Sequence, residues 1–275
     1  MRRIAIINQK GGVGKTTTAV NLAAALAATT QRVQVIDLDP QAHATLHLGL
    51  EPGREGGSIY DVMTGDVPLA EVRRQVQENL WLVGSHIDLA AAEVELAGVV
   101  GRELILRDKL EEDRAAFDYL FIDCPPSLGV LTLNALAAVD EVFIPLQPHF
   151  LALHGLSKLL ETIDLVARRL NPRLRLSGVV LCMFDGATRL AGEVSRDVEN
   201  FFEQCRTGRS CWSEAQAFST RIRRNIRLAE APSFGQSIFD YAPGSNGADD
   251  YRQLAGEVLR QMGAVGLAQP AREAG

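Results

Sequence analysis

Five short runs of apolar and β-branched residues punctuate the chain: RIAIIN at 3–8, RVQVIDL at 32–38, YLFIDC at 119–124, EVFIPL at 141–146 and SGVVLCMF at 177–184. Near-continuous apolarity over so few residues predicts strands buried on both faces, as parallel strands covered by helices are. Between them the period changes. Leu153, Leu156, Leu160, Ile163, Ala167 and Leu170 recur at helical spacing, as do Tyr251, Leu254, Ala255, Val258, Leu259 and Met262. Strands alternating with helices predict an α/β fold, a doubly wound, mostly parallel sheet with helices on both faces. The stretch from Glu51 to Gly65, rich in glycine and turn residues, is expected to be a surface excursion after the second strand. We expect one domain over 1–263 and a disordered tail at 264–275, where small residues and a proline weaken the pattern.

Composition narrows this picture. A chain of 275 residues, 47% of them hydrophobic, can bury a substantial core. No apolar run is long enough to span a bilayer, and the strand pattern starts at once without a cleavable signal region, so a cytoplasmic location is expected. Cys124, Cys182, Cys205 and Cys211 are scattered without a C-x-x-C pair, which argues against a zinc site and a disulfide framework. The net charge of −6 excludes a generally basic surface. Its distribution is uneven, however, because Gln204 to Arg227 holds six arginines and one acid, Glu214. Such a stripe can bind a polyanion locally, although arginines also pair with nearby acids such as Glu230.

The candidate chemistry begins where the first strand ends. NQKGGVGKTTTAV, residues 8–20, is a glycine-rich turn running into a helical segment. Gly11, Gly12, Val13 and Gly14 can curl so that backbone N–H groups converge, and the helix adds its positive end. Lys15 would contact the β- and γ-phosphates of a nucleotide, Thr16 would place its hydroxyl on Mg²⁺, and Thr17 is a further nucleotide-binding candidate. VIDLDPQ puts Asp37 and Asp39 at the end of the second strand, and YLFIDCPPS puts Asp123 at the end of another. Strand carboxyl ends face the ligand crevice in such sheets, so these carboxylates can face Mg²⁺ and an attacking water. Singly, each is equally a helix cap or turn former.

Lys10 is the anomaly, since one lysine suffices for a phosphate loop. The order K-G-G-x-G-K-T-T resembles the deviant Walker A loop of the ParA/MinD group of P-loop ATPases, and NIRLAEAPSFGQSIFDY resembles a late segment of chromosomal, Soj-like ParA proteins. The likeness extends from residue 2 to about 262. It implies an Mg²⁺-dependent ATPase in which Lys10 reaches the partner's nucleotide across an ATP-sandwich homodimer. It further implies Asp123 on the metal's water shell, Asp39 near metal and hydrolytic water, and Met183, Phe184, Pro232 and Phe234 around the adenine. Asp39, Asp123 and Thr16 are thus the metal set, and Lys10, Lys15, Asp39 and Asp123 the catalytic set.

The resemblance also implies a job: partitioning DNA, with ATP-bound dimers held non-specifically on the nucleoid and released when a ParB-like partner stimulates hydrolysis. Arg221, Arg223, Arg224 and Arg227 are the first candidates for phosphate contacts. A ParA-like positioning of other cargo uses the same cycle. A MinD-like membrane ATPase would need a basic amphipathic C-terminal helix, and a reductase like the nitrogenase iron protein would need cluster cysteines; the sequence favours neither, and no membrane partner is expected. No helix-turn-helix precedes the first strand, so operator binding is not expected. The chain departs from the family at His149 and His154, where glutamates are common, at Ala42 and His43, where Gly-Asn is common, and at Arg221 and Arg223, which replace an apolar residue and a proline. The two histidines lack metal-ligand spacing and are expected to be surface polar residues.

Overall fold

A computed structural model describes residues 1–53, 56–149, 152–206 and 210–266. Eight strands among them form one sheet: β1 (Arg2–Ile6), β2 (Val33–Asp37), β3 (Arg73–Gln77), β4 (Leu80–Val83), β5 (Tyr119–Asp123), β6 (Glu141–Leu146), β7 (Arg175–Phe184) and β8 (Ala217–Arg223). Their order is β3-β4-β2-β5-β1-β6-β7-β8. All neighbours are parallel except β3 and β4.

Side chains alternate between two apolar layers, which is why the central strands read as unbroken apolar runs. On β1, Ile4 and Ile6 enter one layer and Ala5 the other; on β5, Tyr119 and Phe121 enter the first and Leu120 and Ile122 the second. Helix α1 (Lys15–Ala27) and the helix Asn246–Gly266 cover the first face, the latter through Tyr251, Leu254, Ala255 and Val258. Helices Ile105–Glu112, Val130–Ala138, Ala152–Arg169 and Arg189–Cys205 cover the second.

Two expectations change. Within the supposed surface excursion, Ile59–Thr64 is a helix whose Ile59, Val62 and Met63 belong to the second apolar layer. Ser58 and Asp61 close a capping box, in which Ser58 Oγ accepts from Tyr60 N and Asp61 accepts from Ser58 N. The C-terminal helix runs past 263 to Gly266, and the remainder of the expected tail lies outside the described residues.

Candidate nucleotide site

The carboxyl ends of β1, β2 and β5 meet in the middle of the sheet, and the residues predicted for phosphate chemistry gather there. In register, Ile6 pairs with Asp123 and Asp37 pairs with Asp123, so the loop after β1 opens beside both acidic strand ends. Gly12 and Gly14 take φ of 72° and 97°, left-handed values that let the backbone curl into α1, whose N-cap is Gly14. The cavity in front of the loop holds about 340 Å³ and is walled by Gly11, Gly12, Lys15, Thr16, Thr17 and Asp39, with Gln41, His43 and Met183 at its margin. Val13 is buried behind it.

The two lysines part company. Lys15 is 7% exposed and its Nζ donates to the carbonyl of Lys10 at 3.2 Å. Burial lowers its pKa, and the charges of Asp123 and Asp39 act in the opposite direction. Lys10 is exposed, and its Nζ lies 2.9 Å from Nε2 of His149. His149 is therefore a partner of the loop lysine at the protein surface. The side chain of His154 lies outside those described.

The acids also divide their work. Asp37 is fully buried, and its carboxylate accepts from Thr45 N at 2.8 Å, Thr45 Oγ1 at 2.7 Å and Asp39 N at 3.2 Å. The expectation that Asp37 could face metal and water is thus corrected, because Thr45 turns the carboxylate into the protein, where it braces the Asp39 loop. Burial pushes its pKa up to about 6 despite these bonds. Asp39 keeps one oxygen on Gln41 N at 3.0 Å and lines the cavity. Asp123 is fully buried and its carboxylate oxygens make no hydrogen bond of good geometry, although the Thr16 hydroxyl lies close enough to interact with them. Burial, then the charge of Asp37, raises its pKa well above the carboxylate range, and Thr16 and Lys15 act against this.

Unpartnered buried carboxylate oxygens are costly unless something else satisfies them. A hard divalent cation fits: Asp123, the Thr16 hydroxyl and Asp39 offer the oxygen donors Mg²⁺ prefers, few enough to leave places for phosphate oxygens and water.

A second cavity of about 400 Å³ continues from the phosphate loop past Gly14 and Thr17. Met183 borders both cavities and takes φ 51°, a left-handed value at a bulge between β7 and β8. Of the four residues expected around the adenine, Met183 is on this wall. Phe184 packs into the second apolar layer; Pro232 and Phe234 belong to the turn Ala231–Phe234, where Phe234 stacks on Tyr241 at 4.9 Å. Asn225, Ile226 and Ala229 also line this cavity. They lie in the same late segment, upstream of Pro232 and Phe234.

The four arginines expected to contact DNA are placed unequally. Arg221 pairs with Glu199 at 2.6 Å, Arg223 with Asp250 at 2.7 Å and Arg227 with Glu230 at 2.8 Å. Arg224 is exposed at the mouth of the second cavity.

Known proteins resemble this chain in sequence and fold. A family described as an AAA domain, AAA_31, matches residues 1–176. The chain is 45% identical to the chromosome partitioning protein ParA of Myxococcus xanthus, over 94% of this chain and 88% of that one. It is also 45% identical to the sporulation initiation inhibitor protein Soj of Bacillus subtilis, over 93% and 97%. The chain belongs to the ParA/Soj family of P-loop ATPases. Among solved structures, one described as cobyrinic acid a,c-diamide synthase from Mycobacterium smegmatis, with bound ATP analogue and magnesium, is 36% identical and superposes with a TM-score of 0.80, covering 95% of this chain and 96% of that one.

Proposed function

We propose that this chain is a Mg²⁺-dependent ATPase that partitions DNA, working as an ATP-sandwich homodimer that binds DNA non-specifically and releases it when a ParB-like protein stimulates hydrolysis. The observation that carries the reading is the division between the two lysines of one loop. Lys15 is buried behind its own phosphate cradle, whereas the Lys10 ammonium stands exposed and turned away from it, where a second subunit can meet it.

Each residue has a part in that cycle. The loop N–H groups and Lys15 bind the β- and γ-phosphates. Thr16, Asp39 and Asp123 would hold Mg²⁺, which would supply positive charge to offset that of the triphosphate. Asp39, braced by Asp37 and Thr45, orients the attacking water. Lys10, delivered in trans, balances charge developing on the γ-phosphate as an arginine finger does. The base enters the second cavity beside Met183, Asn225 and Ala229. Arg224 is the first candidate for DNA phosphates; Arg227, whose pair with Glu230 is surface-exposed, can exchange partners more readily than Arg223, whose acid is buried. The working unit is a single domain over 1–263, in the cytoplasm and on the nucleoid.

Other readings have less support. No described helix is long and apolar enough to cross a membrane, and the helix Asn246–Gly266 turns Tyr251, Leu254, Ala255 and Val258 onto the sheet. Cys124 is fully buried, which does not suit a cluster shared between two subunits. The name attached to the mycobacterial structure implies a different product, but the partitioning relatives are more similar in sequence.

Asp39→Ala tests the cycle. ATP is expected to trap this variant as a dimer on non-specific DNA, seen by sedimentation. A variant that stays monomeric with ATP, or pairs without gaining DNA affinity, would overturn the reading.

A further inference from the structure

After β4 the chain forms one helical stretch, Leu89–Glu95 running directly into the turn Leu96–Gly98. At about 3.6 residues per turn this stretch has two apolar faces. Leu89, Ala92 and Leu96 face inward and belong to the second apolar layer. Ile87, Ala90, Ala91, Val94 and Ala97 fall on the opposite side, and all five are exposed. Val99 and Val100 follow at its end. Ile87 is 57% exposed, Val94 78% and Val100 100%. Four of the eleven exposed large hydrophobic side chains among the described residues thus crowd into residues 87–100. A single exposed valine needs no explanation, whereas a stripe on one helix face marks a surface that something covers.

The stripe is firmly mounted. Ile59 N donates to the Gly84 carbonyl at 2.9 Å, Ser85 N to Thr45 Oγ1 at 2.8 Å, and Tyr60 OH to Glu95 at 3.2 Å, so both ends of the stretch are pinned to the fold. Acids border it on both sides. By helical spacing Asp88 and Glu95 run along one flank and Glu93 along the other. His86 lies 3.2 Å from Asp88, but between Arg74 and Arg102 there is no lysine or arginine to balance the three carboxylates.

We propose that residues 87–100 are a docking face for a basic amphipathic helix of another protein, whose apolar side chains lie on Ile87, Val94 and Val100 while flanking lysines or arginines meet Asp88, Glu93 and Glu95. Charge complementarity selects this occupant. A second copy meeting the face about a two-fold axis would set the same three acids against one another. An anionic lipid surface or a nucleic acid would find acids where it needs cations. Because the face is already ordered, a partner spends little on fixing it. None of these residues lines the phosphate cavity, and the inference does not depend on the reaction proposed above.

Two peptides of equal length serve as probes, each with leucines along one helical face, one flanked by lysines and the other by glutamates. Fluorescence anisotropy with the nucleotide-free full chain at low salt is expected to show the lysine peptide binding, and binding about tenfold more weakly to a chain carrying both Val94→Ser and Val100→Ser. Glu93→Gln with Glu95→Gln should weaken it several-fold and flatten its salt dependence, and the glutamate peptide should not bind. Both valines are exposed, so thermal melts of the double valine variant should match wild type, which separates loss of the face from loss of the fold. Equal affinity of the lysine peptide for wild type and the double valine variant, equal binding of the two peptides, or binding of neither overturns the inference. Self-association of the nucleotide-free wild type in sedimentation, absent from the double valine variant, would give the face to a second copy and also overturns it. So does pelleting with phosphatidylcholine–phosphatidylserine vesicles that the same variant lacks, which would give the face to lipid. None of these outcomes bears on the phosphate loop, whose ATP affinity the double valine variant keeps.

Discussion

Ala42 holds φ 53°, a left-handed conformation in which a Cβ crowds the following carbonyl. It is the N-cap of α2 (His43–His47) and closes the loop that carries Asp39, so strain is stored beside the candidate nucleotide site. Ala42→Gly is expected to stabilise the chain by about 1 kcal/mol, measured by urea unfolding; no gain would mean that the strain is already relieved locally. The departure from Gly-Asn is legible in the sequence, but its cost is visible only once φ is known. His47, one turn on, is another such residue. It is 1% exposed, its Nε2 is unpartnered, and burial lowers its pKa from 6.5 to about 4. As pH falls from 6.5 toward 4 the unfolded chain takes up a proton that the folded chain refuses, so stability rises with pH across that window and is lost on acidification. The loss amounts to up to about 3 kcal/mol, and a His47→Leu variant should show a correspondingly shallower acid limb in thermal melts.

At the scale of elements, legibility tracks burial. The central strands β1, β2, β5, β6 and β7 are readable because both faces are covered, and a short, continuous apolar run between helical patterns fits little else than a buried strand. β3, β4 and β8 are not readable in this way. RRQVQ of β3 and AFSTRIR of β8 are edge strands with half-exposed faces, and LWLV of β4 is too short for a period to emerge. Without β8, Arg221 and Arg223 read as members of an open basic stripe, whereas strand geometry delivers them to acids on neighbouring helices. Asp250, 3% exposed, accepts from Arg223 N at 2.8 Å as well as from its guanidinium. Removing Arg223 strands a buried carboxylate, and because Arg223 itself is 46% exposed the cost is discounted to about 2 kcal/mol. Arg223→Ala should therefore unfold at lower urea, while Arg224→Ala keeps wild-type stability within about 0.5 kcal/mol and loses ATP-dependent DNA affinity with a shallower salt slope. Equal stability of the two variants would show that the Asp250 tie contributes nothing. Unchanged DNA retention by Arg224→Ala would remove that residue from the interface.

For the molecule as a whole, the sheet's topology sets an unfavourable pair at its centre. Parallel register brings the carboxyl ends of β2 and β5 level, so Asp37 and Asp123 are neighbours, both fully buried, one satisfied by Thr45 and the other making no hydrogen bond of good geometry, with Thr16 and the charge of Lys15 as its partial support. A fold optimised for stability would not keep Asp123 there; a fold that must hold a cation between its own oxygens and those of a triphosphate gains by doing so. Asp123→Asn separates the two demands, since the amide keeps the shape and removes the buried charge beside Asp37. The nucleotide-free variant is expected to be more stable than wild type by about 1–3 kcal/mol, read by urea unfolding. With ATP the order should reverse: wild type gains a further increment when Mg²⁺ is added, and the variant gains none, because it lacks the carboxylate that Mg²⁺ would have satisfied. If Asp123→Asn instead lowers the stability of the free chain, the carboxylate is satisfied without metal and Asp123 holds structure rather than cation. If it keeps the full Mg²⁺ increment, the metal is held by Thr16 and Asp39 without Asp123.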